Sequence, residues 1–237
     1  PINRLKLPLF LKKMMVNYLT KIEPKWFDLD EKIEKISGTS INYKSKLKKY
    51  DCFMVTSYET EDPIYQMVGS SNNFYFIQDF EVWYDSEEKV RNSFKLGFTN
   101  IVIANWLKEI VDSCAKKKSI LIPNPIDIEI YKCSSSPDKR NIHTIGFLYN
   151  SYEHKGCKYS FEAVKKLKDI YPDLKVFAFG NPERPSEYPD WIEYTHNATT
   201  SQTVDIYNKC SVFICSTIEE GYGLTGLEAM ACGAALC

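Results

Sequence analysis

The sequence predicts an α/β fold made of two Rossmann-like parallel-sheet units joined by a linker. Three observations carry that reading. Short apolar runs rich in β-branched and aromatic residues alternate with amphipathic helical segments, the order expected of parallel strands with crossover helices. A stretch holding Pro123, Pro125, Ser134, Ser135, Ser136 and Pro137 interrupts the alternation with the composition of a linker. Four of the ten glycines then gather at 221, 223, 226 and 233, where an apolar strand-like run gives way to a helical pattern.

Taken in order, residues 1–22 carry Arg4, Lys6, Lys12, Lys13 and Lys21 and no acid, interleaved with Leu5, Leu7, Leu9, Phe10, Leu11, Met14 and Met15. Such a basic amphipathic stretch either packs on its own domain with a solvated basic side or makes peripheral contact with an anionic membrane surface. Strands are expected at 52–55, 74–77, 101–104 and 120–122. Asn105 is expected to cap a helix in which Trp106, Leu107, Ile110, Val111 and Cys114 keep helical spacing. After the linker, strands are expected at 142–148, 174–179 and 212–215. Phe161, Val164, Leu167 and Ile170 mark a helix that Pro172 ends. The units are therefore 1–122, a linker at 123–141, and 142–237. Because Pro1 opens the chain and Cys237 falls inside an apolar run, both units are expected to be incomplete at their outer ends.

With 44% hydrophobic and 26% charged residues, the composition is that of a globular protein with room for two cores. A net charge of −1 excludes a dedicated nucleic-acid binder, which needs a basic surplus against phosphates. The eight cysteines form no Cys-x-x-Cys pair and no metal-ligand spacing with histidine, so they are expected to be reduced, as in a cytoplasmic compartment. No apolar stretch has the length of a bilayer-spanning helix and no secretory signal pattern is present. The expected location is the cytoplasm, with residues 1–22 able to touch the inner face of a membrane.

The glycine cluster is bracketed by two carboxylates, Glu220 and Glu228. If the helix starts near Leu224, then Leu224, Leu227, Glu228 and Ala231 share one face, which sets an acid on an apolar stripe. An ionised carboxylate there needs hydrogen-bond donors, since an unpaired buried charge costs several kcal/mol. Hydroxyl pairs of a sugar or ribose would serve, and so would a salt bridge to a lysine or arginine. Glu220 precedes the glycines and belongs to the loop at the carboxyl end of the strand, the edge where open parallel sheets bind ligands. Between the two acids, backbone N–H groups of Gly221, Tyr222, Gly223 and Leu224 can meet an oxygen-rich ligand.

The same letters also satisfy the Gly-x-Gly-x-x-Gly fingerprint of a dinucleotide-binding turn, at Gly221, Gly223 and Gly226. That leaves a nicotinamide- or flavin-dependent oxidoreductase as an alternative. Against it, residues 216–220 separate the fingerprint from its strand and several strand-helix units precede it.

The run from Glu220 to Gly233, Glu-Gly-Tyr-Gly-Leu-Thr-Gly-Leu-Glu-Ala-Met-Ala-Cys-Gly, resembles the Glu-x7-Glu signature of retaining family-4 glycosyltransferases with the glycosyltransferase-B fold. The segments Tyr75-Phe-Ile-Gln-Asp-Phe-Glu81 and His154-Lys155-Gly156 look like those of rhamnosyltransferase-like members that build surface polysaccharides. The resemblance implies two domains facing across a cleft. It implies a nucleotide-diphosphate sugar as substrate, a glycan or lipid-linked acceptor, and no metal or other cofactor.

Residue by residue, the resemblance implies that Glu228 holds ribose hydroxyls, Glu220 contacts the transferred sugar, and Gly221, Tyr222, Gly223 and Leu224 face sugar and diphosphate. Lys155, beside Gly156, fits the lysine that grips the diphosphate, whereas Asn150 stands where an arginine is expected. On the first domain Gln78 replaces an expected histidine before Asp79. Glutamine cannot take a proton at neutral pH, so the resemblance implies transfer in which the leaving phosphate accepts the acceptor's proton. Gln78, Asp79 and Glu81 would face the acceptor, with Phe80, Trp83 and Tyr84 either stacking on it or packing in the core. His196 is assigned to the nucleotide base. The altered positions at Asn150 and Gln78 keep a non-catalytic sugar- or nucleotide-binding module open.

Overall fold

The computed structural model describes residues 49–82 and 85–237, together with 29–35 and the single positions Pro8, Leu11, Met14, Met15, Tyr18 and Leu47. The expectation for residues 1–22 as a membrane-contacting unit, and those for Trp83 and Tyr84, lie outside the described residues.

Two all-parallel sheets organise the described residues. The first has the order β1 (Met54–Val55), β2 (Phe74–Ile77), β3 (Thr99–Val102), β4 (Ile120–Leu121). Its crossovers carry α1 (Tyr58–Val68), α2 (Glu87–Ser93) and α3 (Asn105–Asp112). Ser57 and Ser86 cap α1 and α2 by accepting from backbone N–H groups of the first turn. The expected cap at Asn105 is corrected: Ala104 occupies the cap position without a side-chain bond, and Asn105 is already helical. Strand β3 also ends at Val102, which leaves Ile103 and Ala104 beyond the sheet edge.

The second sheet has the order β7 (Ile192–His196), β6 (Lys175–Gly180), β5 (Thr144–Tyr149), β8 (Val212–Ile214), β9 (Ala235–Leu236). Its helices are α4 (Cys157–Ile170), α5 (Thr200–Lys209) and α6 (Leu224–Ala231). In chain order the sheet runs third, second, first, fourth, fifth. The winding therefore reverses between β5 and β8, the switch point at whose carboxyl end such sheets bind ligands. β7 escapes the sequence reading because it is an edge strand whose residues alternate poorly between buried and exposed.

The first sheet packs on one hydrophobic cluster and the second on two, one with Phe147 and Val164 and one with Tyr207 and Phe213. Val102, Leu107 and Val111 are sealed in the first, and Phe147, Val164, Phe213 and Tyr207 in the second. Truncating a buried aromatic such as Phe213 costs about 3–5 kcal/mol.

Residues 123–141 are bolted to the second sheet rather than loose. The Ser134 amide donates to Asn208 Oδ1 at 2.8 Å, and Tyr131 packs on Tyr207. Arg140 is buried without an acidic partner in its hydrogen bonds. Its guanidinium donates to the carbonyls of Tyr207, Cys210, Ser135 and Cys232. Cys210 and Cys232 are the residues that close α5 and α6. A cation at two helix carboxyl ends meets both unsatisfied carbonyls and the negative ends of two dipoles.

Candidate active site between the two sheets

Loops at the carboxyl ends of both sheets converge on one cavity of about 530 Å³. From the switch point come the loop after β5, with Asn150 and Lys155, and the loop after β8, with Cys215, Ser216, Thr217, Glu220, Gly221, Tyr222 and Gly223. The first sheet supplies Ile103, Asn105 and Trp106 beyond β3 and Pro123 beyond β4.

The chain reaches this geometry through local necessities. Lys155 closes a 3-10 turn (Glu153–Lys155), and the next residue, Gly156, reverses direction with φ 61° before α4 begins. A Cβ on Gly156 would stand 2.0 Å from the Ser216 carbonyl oxygen, so only glycine lets the two loops touch there. They are then tied by Ile218 N–H donating to His154 O at 2.9 Å and Ser160 Oγ donating to Ser216 Oγ at 2.7 Å.

The result is an ion pair: Lys155 Nζ donates to Glu220 Oε2 at 2.9 Å, with both side chains partly exposed to the cavity. Asn150 also lines it, but its Oδ1 accepts the Tyr152 amide at 2.9 Å and shapes its own loop. Gly223 opens α6 at φ 80°. A helix start presents free N–H groups and a positive dipole end, which favour an anion.

Glu228 sits one turn into α6 and does not line the cavity. Its carboxylate accepts from Tyr207 Oη at 2.9 Å and also interacts with Tyr131. The protein partners described for this acid are two phenols, and not the lysine or arginine that the sequence leaves open. Burial raises the pKa of Glu228, and the two tyrosine hydrogen bonds pull it back. Tyr131 is itself pushed up to about 12, by burial first and then by the charge of Glu228.

The first sheet presses on the glycine loop. A Cβ on Gly221 would meet Gln78 O at 2.4 Å, and Trp106 Nε1 donates to Gly221 O at 3.2 Å. Tyr222 packs on the first core. A second cavity, about 390 Å³, shares Trp106 and Glu220 with the first and is lined also by Asp79, Phe80, Val82, Ile218 and Glu219. Asp79 accepts from Phe80 N–H at 2.8 Å, and its pKa is raised, mainly by burial and then by the neighbouring Glu220 and Glu219 charges.

The other sequence-derived candidates are not brought to either cavity. Glu81 turns into its own domain, where its Oε2 accepts the Tyr58 N–H at the start of α1. His196, on edge strand β7, holds its Nε2 2.8 Å from Asn181 O. Gly156, Leu224 and Gln78 do not line either cavity, and Gln78 meets the glycine loop through its carbonyl oxygen. Trp106, Ser216, Thr217, Tyr131 and Tyr207 were not singled out from the sequence. For Ser216 and Thr217 the signal was their place between a strand and Glu220; the tyrosines carried none.

Among the described residues, no group of three or more His, Cys, Asp or Glu side chains could hold a metal ion. No helix among them is long and apolar enough to cross a membrane. The glycine triplet follows β8, not the first strand of its sheet, which is where a dinucleotide fingerprint sits.

Residues 139–236 match the model of the family described as glycosyl transferases group 1. Among solved structures, the fold is similar to sucrose-phosphate synthase from Thermosynechococcus elongatus (TM-score 0.65, 14% identity, 82% of this chain and 57% of that one). It is also similar to the pneumococcal O-GlcNAc transferase GtfA in complex with UDP and GlcNAc (TM-score 0.59, 18% identity, 82% and 44%). A third is the catalytic domain of starch synthase IV from Arabidopsis thaliana bound to ADP and acarbose (TM-score 0.58, 12% identity, 82% and 58%). The chain thus spans roughly half the length of each. No curated protein matches by sequence. The fold is the α/β arrangement of glycosyltransferase-B enzymes.

Proposed function

We propose that this chain is part of an enzyme that moves a hexosyl or rhamnosyl-type sugar, with retention, from a nucleotide-diphosphate sugar to a glycan or lipid-linked acceptor in surface polysaccharide synthesis. One observation carries the reading: the Lys155–Glu220 pair, 2.9 Å apart, at the switch point of the second sheet and beside the amino end of α6. Support comes also from the family match over residues 139–236 and from the bound UDP and ADP that name two of the similar structures.

In this reading the diphosphate lies against α6 and Lys155, and Glu220 meets the hydroxyls of the transferred sugar. Glu228 holds the ribose, exchanging a tyrosine hydroxyl for a ribose hydroxyl. The bond from the sugar's anomeric carbon to the diphosphate breaks while the bond to the acceptor oxygen forms. Lys155 stabilises the charge that collects on the departing phosphate. Gln78, where the resemblance expects a histidine, cannot take a proton, and in this reading the acceptor's proton goes to that phosphate oxygen. The test is thermal melting of the full chain with UDP, GDP, dTDP, NAD and FAD. A nucleoside diphosphate at 100 times its Kd stabilises by about 2.7 kcal/mol. A shift with NAD or FAD and none with the nucleoside diphosphates would overturn the reading.

A further inference from the structure

The second cavity has a chemical character of its own. Its floor and walls are Phe80, Val82, Trp106 and Ile218, and its polar lining is three carboxylates, Asp79, Glu219 and Glu220. Its volume, about 390 Å³, falls in the range of roughly 300–1,000 Å³ of small-molecule sites. Lys155 acts on Asp79 by its charge, and it is engaged by Glu220. Arg91 lies over the Phe80 ring at 5.1 Å, but its guanidinium is bonded to Glu87 at 2.7 Å. Among the described residues that line the cavity none is cationic, so its lining is acidic beside apolar faces.

Trp106 is the wall common to both cavities. The residue is 39% exposed although its Nε1 is fixed on Gly221 O, so the side chain is anchored while the residue keeps open surface. A ring oriented in that way can pack on the C–H face of a pyranose while carboxylates accept from its hydroxyl or ammonium groups. An anionic sugar brought to the same place meets the like charges of half-buried Asp79 and of exposed Glu219, a repulsion that added salt screens.

We infer that the second cavity selects by charge: it stacks a neutral or amine-bearing pyranose on Trp106 and rejects anionic saccharides. As the acceptor subsite it rests on the assignment of the first cavity to the nucleotide sugar.

The test is calorimetric titration of the full chain with three disaccharides: glucosamine (cationic), N-acetylglucosamine (neutral) and galacturonic acid (anionic). The glucosamine disaccharide is expected to bind at least about tenfold tighter than the galacturonic one, a ratio that shrinks as salt is raised. Glu219→Gln should reduce that ratio about threefold or more while leaving melting shifts with nucleoside diphosphates unchanged, because Glu219 lines only the second cavity. Trp106→Phe should keep saccharide binding and Trp106→Ala should lose it, since the first retains a stacking ring. Equal or tighter binding of the galacturonic disaccharide, or no binding of any of the three at 10 times a millimolar concentration, about 10 mM, would overturn the inference. Nucleotide stabilisation without charge preference overturns the inference alone; charge preference without nucleotide stabilisation supports the cavity's selectivity and overturns only its role as an acceptor subsite.

Discussion

The hydroxyl of Tyr207 donates to Glu228 Oε2 across 2.9 Å, joining α5 to α6 behind the glycine loop. Tyr207 is fully buried, and its own pKa is raised by burial and then by the carboxylate's charge. The phenol therefore stays a hydrogen-bond donor at every physiological pH, and Glu228 is held in one orientation by a partner that cannot ionise away.

A pH dependence follows. Because burial raises Glu228 above its ordinary 4.5, its contribution to stability is present below about 4.5 and is lost as pH rises through the higher folded value. Glu228→Gln escapes that loss. Its melting temperature relative to the parent should be higher at pH 7.5 than at pH 5, while its affinity for nucleoside diphosphate falls at least about tenfold. A melting difference that does not change between the two pH values would contradict the assigned cause.

The Lys155–Glu220 pair makes the opposite prediction for stability. With side chains 24% and 40% exposed, the pair is solvent-screened, and breaking it should cost no more than about 1 kcal/mol. Transfer should nonetheless fall about 10²–10³-fold in Lys155→Ala or Glu220→Ala. The double variant should be little worse than the weaker single one. Turnover within twofold of the parent in either single variant would remove these residues from the chemistry.

Gly156→Ala tests whether the loops after β5 and β8 must touch. Positive φ in a residue with a Cβ costs roughly 1–2 kcal/mol, and the 2.0 Å approach to the Ser216 carbonyl adds to it. We expect a lower melting temperature together with a rise in KM for the nucleotide sugar, because Lys155 is displaced with the turn. Steady-state kinetics beside a melting curve reads both; an unchanged KM would show that Lys155 is placed by something else.

Much of the fold was legible because period and punctuation are local. Phe161, Val164, Leu167 and Ile170 repeat at helical spacing, and the structure places all four on α4. The strand expected at 74–77 is β2. What failed also has local reasons. β7 sits at an edge and its burial does not alternate cleanly. Asn105 has the chemistry of a cap, but α3 starts one residue early for it, so its side chain is left at the cavity mouth.

For the candidate site, the sequence by itself determined one cluster: Glu220, Gly221, Gly223, Gly226 and Glu228 lie within nine residues, so chain connectivity alone keeps them together. It also determined that Lys155 would leave the carboxyl end of a strand. Only the tertiary structure decided their partners. Lys155 meets Glu220 across 65 residues, Tyr207 meets Glu228 across 21, and Trp106 reaches Gly221 across 115. Those pairings depend on a strand order that reverses between β5 and β8, and on a first sheet lying against the second. Hydrophobic periodicity specifies which face of an element is buried, but not which element from elsewhere in the chain will cover it.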